Sequence, residues 1–163
     1  MPYDSSAENI ALLKRTIFGA FDVSGRSRRT ELVYYAIAIT LLNTVIDFAA
    51  LVTLSWTASL IVELIFRLLL FVPFFALFAR RLHDQDRSAW WALMLPVIVA
   101  MSIIQTVRFI IAGTEIEAGT YYSYSGTPLD VWIGVPLTLA YLVLAFLPGT
   151  DGANRFGPDP RLD

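Results

Sequence analysis

The stretch that decides the fold is ARRLHDQDRSAWWALMLP, residues 79–96. Between Arg80 and Arg87 it holds three arginines, two aspartates and the only histidine of the chain. On either side lie about twenty residues with almost no charge, which is the length that a helix needs to cross the hydrocarbon core of a bilayer. A charged cluster between two such runs predicts a loop at the membrane surface that joins two transmembrane helices.

The composition of the chain is typical of a membrane protein. Hydrophobic residues make up 56% and charged residues 16% of the 163 positions, and the mean hydropathy is +0.62. Soluble domains are roughly a quarter charged, so this chain has too little charge to cover a surface that faces water. The net charge of −2 gives no reason to expect nucleic acid. The absence of cysteine excludes disulfides, thiol catalysis and thiolate metal sites.

Four apolar segments are predicted to span the membrane as helices. They cover about 32–54, 58–79, 89–112 and 131–147, and each is at or near the roughly 20 residues that a span requires. A soluble helical bundle is the alternative, but runs this long and this uniformly apolar disfavour it. Residues 1–163 are therefore predicted to form a single integral membrane domain, an all-α bundle of four transmembrane helices.

The basic residues predict the orientation of the bundle. Positive residues accumulate in the short cytoplasmic loops of membrane proteins. The connections 55–57 and 113–130 contain no Lys or Arg, whereas ten basic residues flank the other ends of the spans. Both termini are therefore predicted to be cytoplasmic. The ten basic residues are Lys14, Arg15, Arg26, Arg28, Arg29, Arg80, Arg81, Arg87, Arg155 and Arg161.

The segments before the first span and after the last span are predicted to lie at the cytoplasmic surface. An apolar stripe at near-helical spacing is typical of a short amphipathic helix in the membrane interface, and an ordinary helix packed under the bundle is an equally open alternative. The tail, residues 148–163, is rich in Pro, Gly, Asp and Asn and is predicted to be irregular. The stripe consists of Ile10, Leu13, Ile17, Phe18 and Phe21.

Three separated motifs resemble one known family. They read FDVSGRSRRTELVYY before the first span, RRLHDQDRSAWW between the second and third spans, and GTDGANRFGPDP in the tail. Their order and residues are similar to those of DUF805, a family of small bacterial inner-membrane proteins of unknown function. Ala89 stands where that family usually has glycine, and Tyr35 where tryptophan is common. The resemblance covers residues 18–160 and implies a four-helix protein of the bacterial inner membrane, without an established activity.

The charged cluster offers little support for catalysis or for a metal site. His83, Asp84 and Ser88 are the residue types of a hydrolytic triad, but triad partners normally converge from distant segments. His83, Asp84 and Asp86 supply three metal ligands at best in a chain with one histidine and no cysteine. No glycine-rich phosphate loop follows a strand. We therefore assign no catalytic, cofactor-binding or metal-binding residue, and an enzyme is the less favoured class.

The predicted topology brings the three motifs to one cytoplasmic platform, because their points of attachment lie one helix diameter, roughly 10 Å, apart. The carboxylates are expected to pair with some of the arginines, and His83 and Asn154 to satisfy loop carbonyls. Arginine suits this role, since its planar fork binds carboxylates and phosphates through two bonds. Arg80, Arg81 and Arg87 are expected to face anionic lipid. The candidate platform comprises Arg26, Arg29, Glu31, Arg80, Arg81, His83, Asp84, Asp86, Arg87, Asn154, Arg155 and Asp159.

Four charged residues lie inside the predicted spans, namely Asp47, Glu63, Arg67 and Arg108. Each unpaired charge there costs about 2.5 to 3.5 kcal/mol on insertion scales. Glu63 and Arg67 are four residues apart on one helix and can meet directly. The four are predicted to form a neutral, inward-facing cluster that ties the first three spans together. A proton or ion relay is the sharper alternative, and Arg108 could instead snorkel outward.

The function predicted from these features is that of a binding or scaffold module. It would present the arginine-rich platform to anionic lipid headgroups or to a cytosolic or membrane protein. Two alternatives stay open: a membrane enzyme that acts on lipid headgroups, and a small transporter-like bundle that uses the intramembrane charges. Neither a substrate nor an oligomeric state follows from the sequence.

Overall fold

Four long helices form the fold of the part of the chain that the structure describes. The computed structural model describes residue 10 and residues 14–117 and 128–161. Within these residues there is no strand, and an isolated bridge between Asn154 and Gly157 is the only strand-like pairing. The helices are α1 (Arg29–Thr53), α2 (Trp56–Asp84), α3 (Met94–Glu117) and α4 (Pro128–Phe146), with a short 3-10 helix (Ala89–Leu93) before α3.

Three helical segments are long and apolar enough to cross a membrane. In the part of the chain that the structure describes, they are Arg29–Thr53, Trp56–Asp84 and Ala89–Arg108. Within α4, Val131–Phe146 adds a shorter apolar helix. A helix pairs its backbone N–H and C=O groups internally, which is what a chain inside lipid requires. The structure thus confirms the prediction of an all-helical membrane protein.

The charged cluster is more helical than its sequence predicts. We expected residues 80–87 to form a loop, but α2 continues to Asp84. The helix can continue because the polar side chains of its last turns are buried against other segments, where Asp84 pairs with Arg26 and Arg81 bonds to a carbonyl of α4. It ends in a Schellman motif, in which the N–H groups of Asp86 and Arg87 donate to the carbonyls of His83 and Leu82 at 3.0 and 2.9 Å. Asp86 takes the left-handed position, with φ of 55°.

The start and the end of the third predicted span also differ from the expected boundaries. Residues 89–93 form a 3-10 turn, and its first residues are capped by Ser88, whose Oγ accepts from the N–H of Trp90 at 3.4 Å. At the other end α3 runs on to Glu117, so the connection predicted at 113–130 is helical in its first residues. Residues 118–127 of that connection lie outside the described residues.

The tightest packing lies at one end of the bundle, where α1 begins and α2 and α4 end. Leu77, Phe78 and Leu82 of α2 have no exposed surface. They pack with residues of the other helices, and the rings of Phe78 and Tyr141 lie 5.2 Å apart. In lipid, helices associate through van der Waals packing rather than hydrophobic burial, so this end holds the helices together. We call it the polar end, because residues 14–31, 80–88 and 147–161 meet there.

The segment before α1 turns its apolar side chains away from the bundle. Residues 14–18 are helical. Thr16 is fully buried and its Oγ1 donates to Glu31 Oε1 at 3.0 Å. Phe18 and Phe21 are each 88% exposed, and Ile17 is 56% exposed. Leu13 of the predicted stripe lies outside the described residues.

Replacing Leu77 by Ala should destabilise the protein by about 2–5 kcal/mol, because the buried side chain leaves a cavity among the helices. Leu69→Ala is the matched control, since Leu69 lies on the same helix and is 62% exposed. Thermal unfolding in detergent should show a clearly lower Tm for Leu77→Ala alone. Equal losses for the two variants would contradict the location of the core.

Candidate functional site

The carboxylate of Asp84 is the centre of the polar end. Its Oδ1 accepts from Nε and Nη2 of Arg26 at 3.0 and 2.8 Å, and its Oδ2 accepts from Nη1 of Arg81. All three side chains are buried. Charge-assisted bonds of this kind are about twice as strong as neutral ones, so one carboxylate joins the segment before α1 to the end of α2.

Arg26 extends this link to the tail. Its remaining N–H groups donate to the carbonyls of Thr150, Gly152 and Gly157 at 2.8, 2.6 and 3.4 Å. A guanidinium has five N–H groups, and together with Asp84 these carbonyls accept from all of them. Arg26 therefore fixes an irregular tail whose backbone has little pairing of its own.

The tail also bonds to the last turn of α2. The N–H and Oγ1 of Thr150 both donate to the carbonyl of Asp84, at 2.8 and 3.1 Å. Asn154 donates from Nδ2 to the carbonyl of His83 at 2.9 Å. Arg155 pairs with Asp86 at 3.0 Å and donates to its carbonyl at 2.8 Å. The structure thus brings the second and third sequence motifs into direct contact.

His83 has a packing role in this arrangement. Its ring stacks on Phe156 with centroids 3.9 Å apart and planes at 4°. Its Nδ1 lies 3.1 Å from the carbonyl of Gly25. The ring is buried. His83 thereby connects the segment before α1, the end of α2 and the tail.

The C-terminus of α4 is capped by side chains from other segments. The last four carbonyls of a helix have no partner inside it. In α4 the carbonyl of Val143 accepts from the N–H of Leu147 at 3.0 Å. Three side chains of the polar end serve the other carbonyls: Gln85 bonds to Leu144 at 2.5 Å, Arg81 to Ala145 at 3.2 Å and Arg29 to Phe146 at 3.4 Å. The two cations also interact favourably with the helix dipole.

One expectation about the arginines is wrong. Arg80 and Arg81 were expected to face lipid, but they are 3% and 1% exposed because both sit on the inward side of α2. Arg80 Nη2 lies 3.9 Å from Glu31 Oε1, and its Nε and Nη2 find no hydrogen-bond acceptor within the described residues. Arg87, the third of the set, is exposed.

The end of the tail forms a small charged turn. Arg161 donates from Nη2 to Asp159 Oδ2 at 2.6 Å and pairs with Asp151 at 2.9 Å. The hydrogen bond that the Arg161 side chain donates lowers the pKa of Asp159 well below its ordinary value of 3.8, and the same bond raises the pKa of Arg161. Because a lowered pKa favours the ionised form, the turn should persist at neutral pH and weaken only in strong acid.

The intramembrane charges are only partly brought together. Arg67 pairs with Glu63 and also donates to Ser102, which ties α2 to α3. Asp47 of α1 does not join this group, and its buried Oδ1 finds no hydrogen-bond partner in the described part of the chain. Arg108 is exposed on α3. The described contacts therefore link two helices, whereas the sequence predicts a cluster that links three.

Several residues of the site were not predicted from the sequence. Thr150 and Phe156 contribute contacts that depend on how the tail lies against α2, and Gln85 bonds to a carbonyl at the end of α4. Gly149 is needed because a Cβ at this position would overlap the carboxylate of Asp84. The close succession of small and polar residues in GTDGANRFG signals a turn-rich segment, but it does not show which side chain the turn approaches.

A cavity of about 240 Å³ opens beside these ion pairs. It lies between the first turn of α1 and the tail, and four arginines surround one carboxylate there. Within the described residues, no group of three or more His, Asp or Glu is placed to hold a metal ion. The cavity is lined by Arg28, Arg29, Thr30, Arg81, Asp84, Gly149, Pro160 and Arg161.

Comparison with known proteins assigns the family. The model of the family described as "Protein of unknown function (DUF805)" matches residues 20–158. The chain belongs to the DUF805 family. The match includes Arg26, Arg81 and Asp84, together with the tail carbonyls that Arg26 binds.

Two named relatives come from Escherichia coli (strain K12). Inner membrane protein YhaH is 33% identical over 103 residues, which cover 63% of this chain and 55% of YhaH. Inner membrane protein YhaI is 28% identical over 138 residues, which cover 85% of each chain. The match thus spans about half the length of YhaH. No solved structure matches the chain.

Gly149→Ala should destabilise the protein by about 1–3 kcal/mol, because the added methyl group displaces a carboxylate that two guanidinium groups hold in place. Gly134→Ala is the matched control, since its Cβ would meet Met101 Cε at an ordinary 3.7 Å. Tm should fall only for Gly149→Ala, and the tail should become more sensitive to trypsin. An unchanged Tm would show that the tail does not lie against Asp84.

Proposed function

We propose that this protein is an inner-membrane binding module that holds the phosphate group of an anionic lipid at its cytoplasmic face. The arginine-lined cavity at the polar end is the observation that carries the proposal. Arginine matches phosphate geometry through two parallel N–H bonds. A cavity of this size at the membrane surface suits a headgroup, because the acyl chains can stay in the bilayer.

The charges around the cavity favour an anion. Among the residues that the structure describes, Asp84 is the one carboxylate in its wall, and this group is already bound by Arg26 and Arg81. Arg29 is exposed, and within the described residues it donates a single hydrogen bond, at 3.4 Å, to the carbonyl of Phe146. Since a guanidinium has five N–H groups, most donors of Arg29 remain available to a phosphate.

The first turn of α1 adds further donors. Arg28 at the cap position makes no side-chain cap, so the first N–H groups of α1 are not satisfied in this way. Arg29 and Thr30 of this turn line the cavity. The positive end of the helix dipole and these N–H groups favour an anion at a helix N-terminus.

The proposed arrangement in the membrane follows from the charges and the exposed aromatic residues. We propose four spans, with α4 as the fourth and both termini in the cytoplasm, because all ten flanking basic residues fall on one side. The residues 14–21 would lie in the interface as an amphipathic segment, which the exposure of Phe18 and Phe21 supports. Trp90 and Trp91 are 78% and 54% exposed at the same end, as expected for an aromatic belt.

The site favours binding over catalysis. His83 is the only histidine of the chain, and histidine is the residue type that ordinarily titrates near neutral pH. It does not line the cavity. Its ring is stacked on Phe156, and its Nδ1 is engaged by Gly25. These contacts leave the lipid without an evident acid–base partner, so a binding module is the function that the geometry supports best.

Arg29→Gln should weaken retention of anionic lipid about tenfold, because it removes charge-assisted bonds to phosphate. Arg87→Gln is the control, since Arg87 is exposed on the same face but does not line the cavity. Purified variants in nanodiscs with phosphatidylglycerol and phosphatidylcholine can be compared by native mass spectrometry. Equal retention in both variants would mean that anionic lipid is attracted only by the general positive charge.

A periplasmic-type reporter fused at Ser125 should be active, and the same reporter fused after Asp163 should be inactive. The reason is that no basic residue lies between 113 and 130, whereas the tail carries two arginines. The complementary cytoplasmic reporter should give the opposite pattern. Activity of the cytoplasmic reporter at Ser125 would reverse the proposed orientation.

A further inference from the structure

A second cavity lies in the middle of the bundle, apart from the polar end. Its volume is about 290 Å³, and all four helices contribute to its wall. Most of the wall is aliphatic or phenylalanine. Four polar residues interrupt it: Asn43 of α1, Arg67 of α2, and Thr138 and Tyr141 of α4.

These four residues have hydrogen-bonding capacity that the protein does not use. Within the described residues, the side chains of Asn43, Thr138 and Tyr141 make no hydrogen bond. Arg67 donates to Glu63 and Ser102, which takes up two of its five N–H groups. Hydrocarbon supplies no partner for such groups, and polar residues in a span are costly unless they are satisfied. The cavity is therefore suited to an occupant that bonds to them.

The charge balance decides whether this occupant is charged. Glu63 already neutralises Arg67 through their ion pair. An anion or cation would add an uncompensated charge inside the membrane, at a cost of about 2.5 to 3.5 kcal/mol or more. The occupant should therefore be uncharged.

The hydrogen-bond donors in the cavity wall determine which polar group the occupant carries. Arg67 offers only N–H donors, and Asn43, Thr138 and Tyr141 each offer at least one more. Four donor side chains in an otherwise apolar wall match acceptor oxygens on an apolar body. We infer that this cavity binds an uncharged, largely apolar molecule that carries carbonyl oxygens, such as a diaryl ketone or a quinone.

The route to the cavity runs through the lipid rather than through the polar end. The rings of Phe74 and Phe78 pack against Tyr141, with centroids 5.9 and 5.2 Å away, and close the cavity toward that end. Thr138, at the edge of the cavity, is exposed on the surface of α4. An apolar molecule dissolved in the bilayer can therefore reach the polar lining without crossing the packed core. The inference is independent of the proposed lipid site.

Benzophenone tests this inference directly, because it belongs to the proposed class and inserts into neighbouring C–H bonds under ultraviolet light. The full chain in nanodiscs would be irradiated with benzophenone, and the labelled peptides identified by mass spectrometry. Labelling should concentrate on α1 and α2 around Asn43 and Phe71. An excess of fluorenone should reduce the labelling about tenfold, because fluorenone, like benzophenone, has a carbonyl oxygen that can accept from Arg67. Fluorene has the same shape without the oxygen and should not reduce the labelling. Fluorene-9-carboxylate, which is charged, should not reduce it either.

Two variants connect the labelling to the polar lining. Asn43→Leu and Thr138→Val should each lower the labelling that fluorenone displaces, and Thr138→Val serves if Asn43→Leu does not fold. Thr44→Val is the matched control, because Thr44 is exposed and its side chain bonds to the carbonyl of Thr40 at 2.9 Å. Competition by fluorene equal to that by fluorenone would identify the occupant as a lipid chain and overturn the inference. Stronger competition by the carboxylate would overturn the charge argument.

Discussion

Asp84 holds the polar end together, because two guanidinium groups from different segments converge on its carboxylate. Arg26 comes from the segment before α1. Arg81 belongs to α2 and also donates to a carbonyl at the end of α4. Removing the carboxylate would leave two buried cations without a counter-ion, and breaking a buried pair in this way costs about 3–5 kcal/mol. The positions of three chain segments thus depend on a single side chain near the end of α2.

The choice of arginine over lysine follows from this geometry. The chain has eleven arginines and one lysine. Arg26 places five donors on acceptors that lie in different directions, and Arg81 reaches both a carboxylate and two carbonyls of the α4 terminus. An ammonium group presents three donors on one nitrogen and cannot span these acceptors. The tail needs no helix or sheet, because such side chains supply what regular backbone pairing would otherwise provide.

Hydropathy and charge were sufficient to predict the membrane class, the approximate helices and the meeting of the three motifs. They were not sufficient at residues 80–84, where four polar or charged residues follow a long apolar run and suggested a loop. The helix continues there because Arg80 and Asp84 are buried by segments more than fifty residues away in sequence. Such partners cannot be read from local composition. The same limit applies to Gly149, whose importance comes from the carboxylate that it approaches, and to Ser102, which bonds to an arginine on another helix.

The two cavities differ in the net charge of the residues around them, and this difference determines what each can bind. At the polar end Asp84 is shared by two cations while Arg29 keeps most of its donors, so the local excess is positive and the complement is an anion. In the wall of the second cavity Arg67 is balanced by Glu63, so hydrogen-bonding capacity remains there without a net charge. The dielectric surroundings reinforce the contrast, because a charge is far more costly in hydrocarbon than at the headgroups. One chain can therefore hold a phosphate at its surface and a neutral ketone in its interior without either ligand competing for the other site.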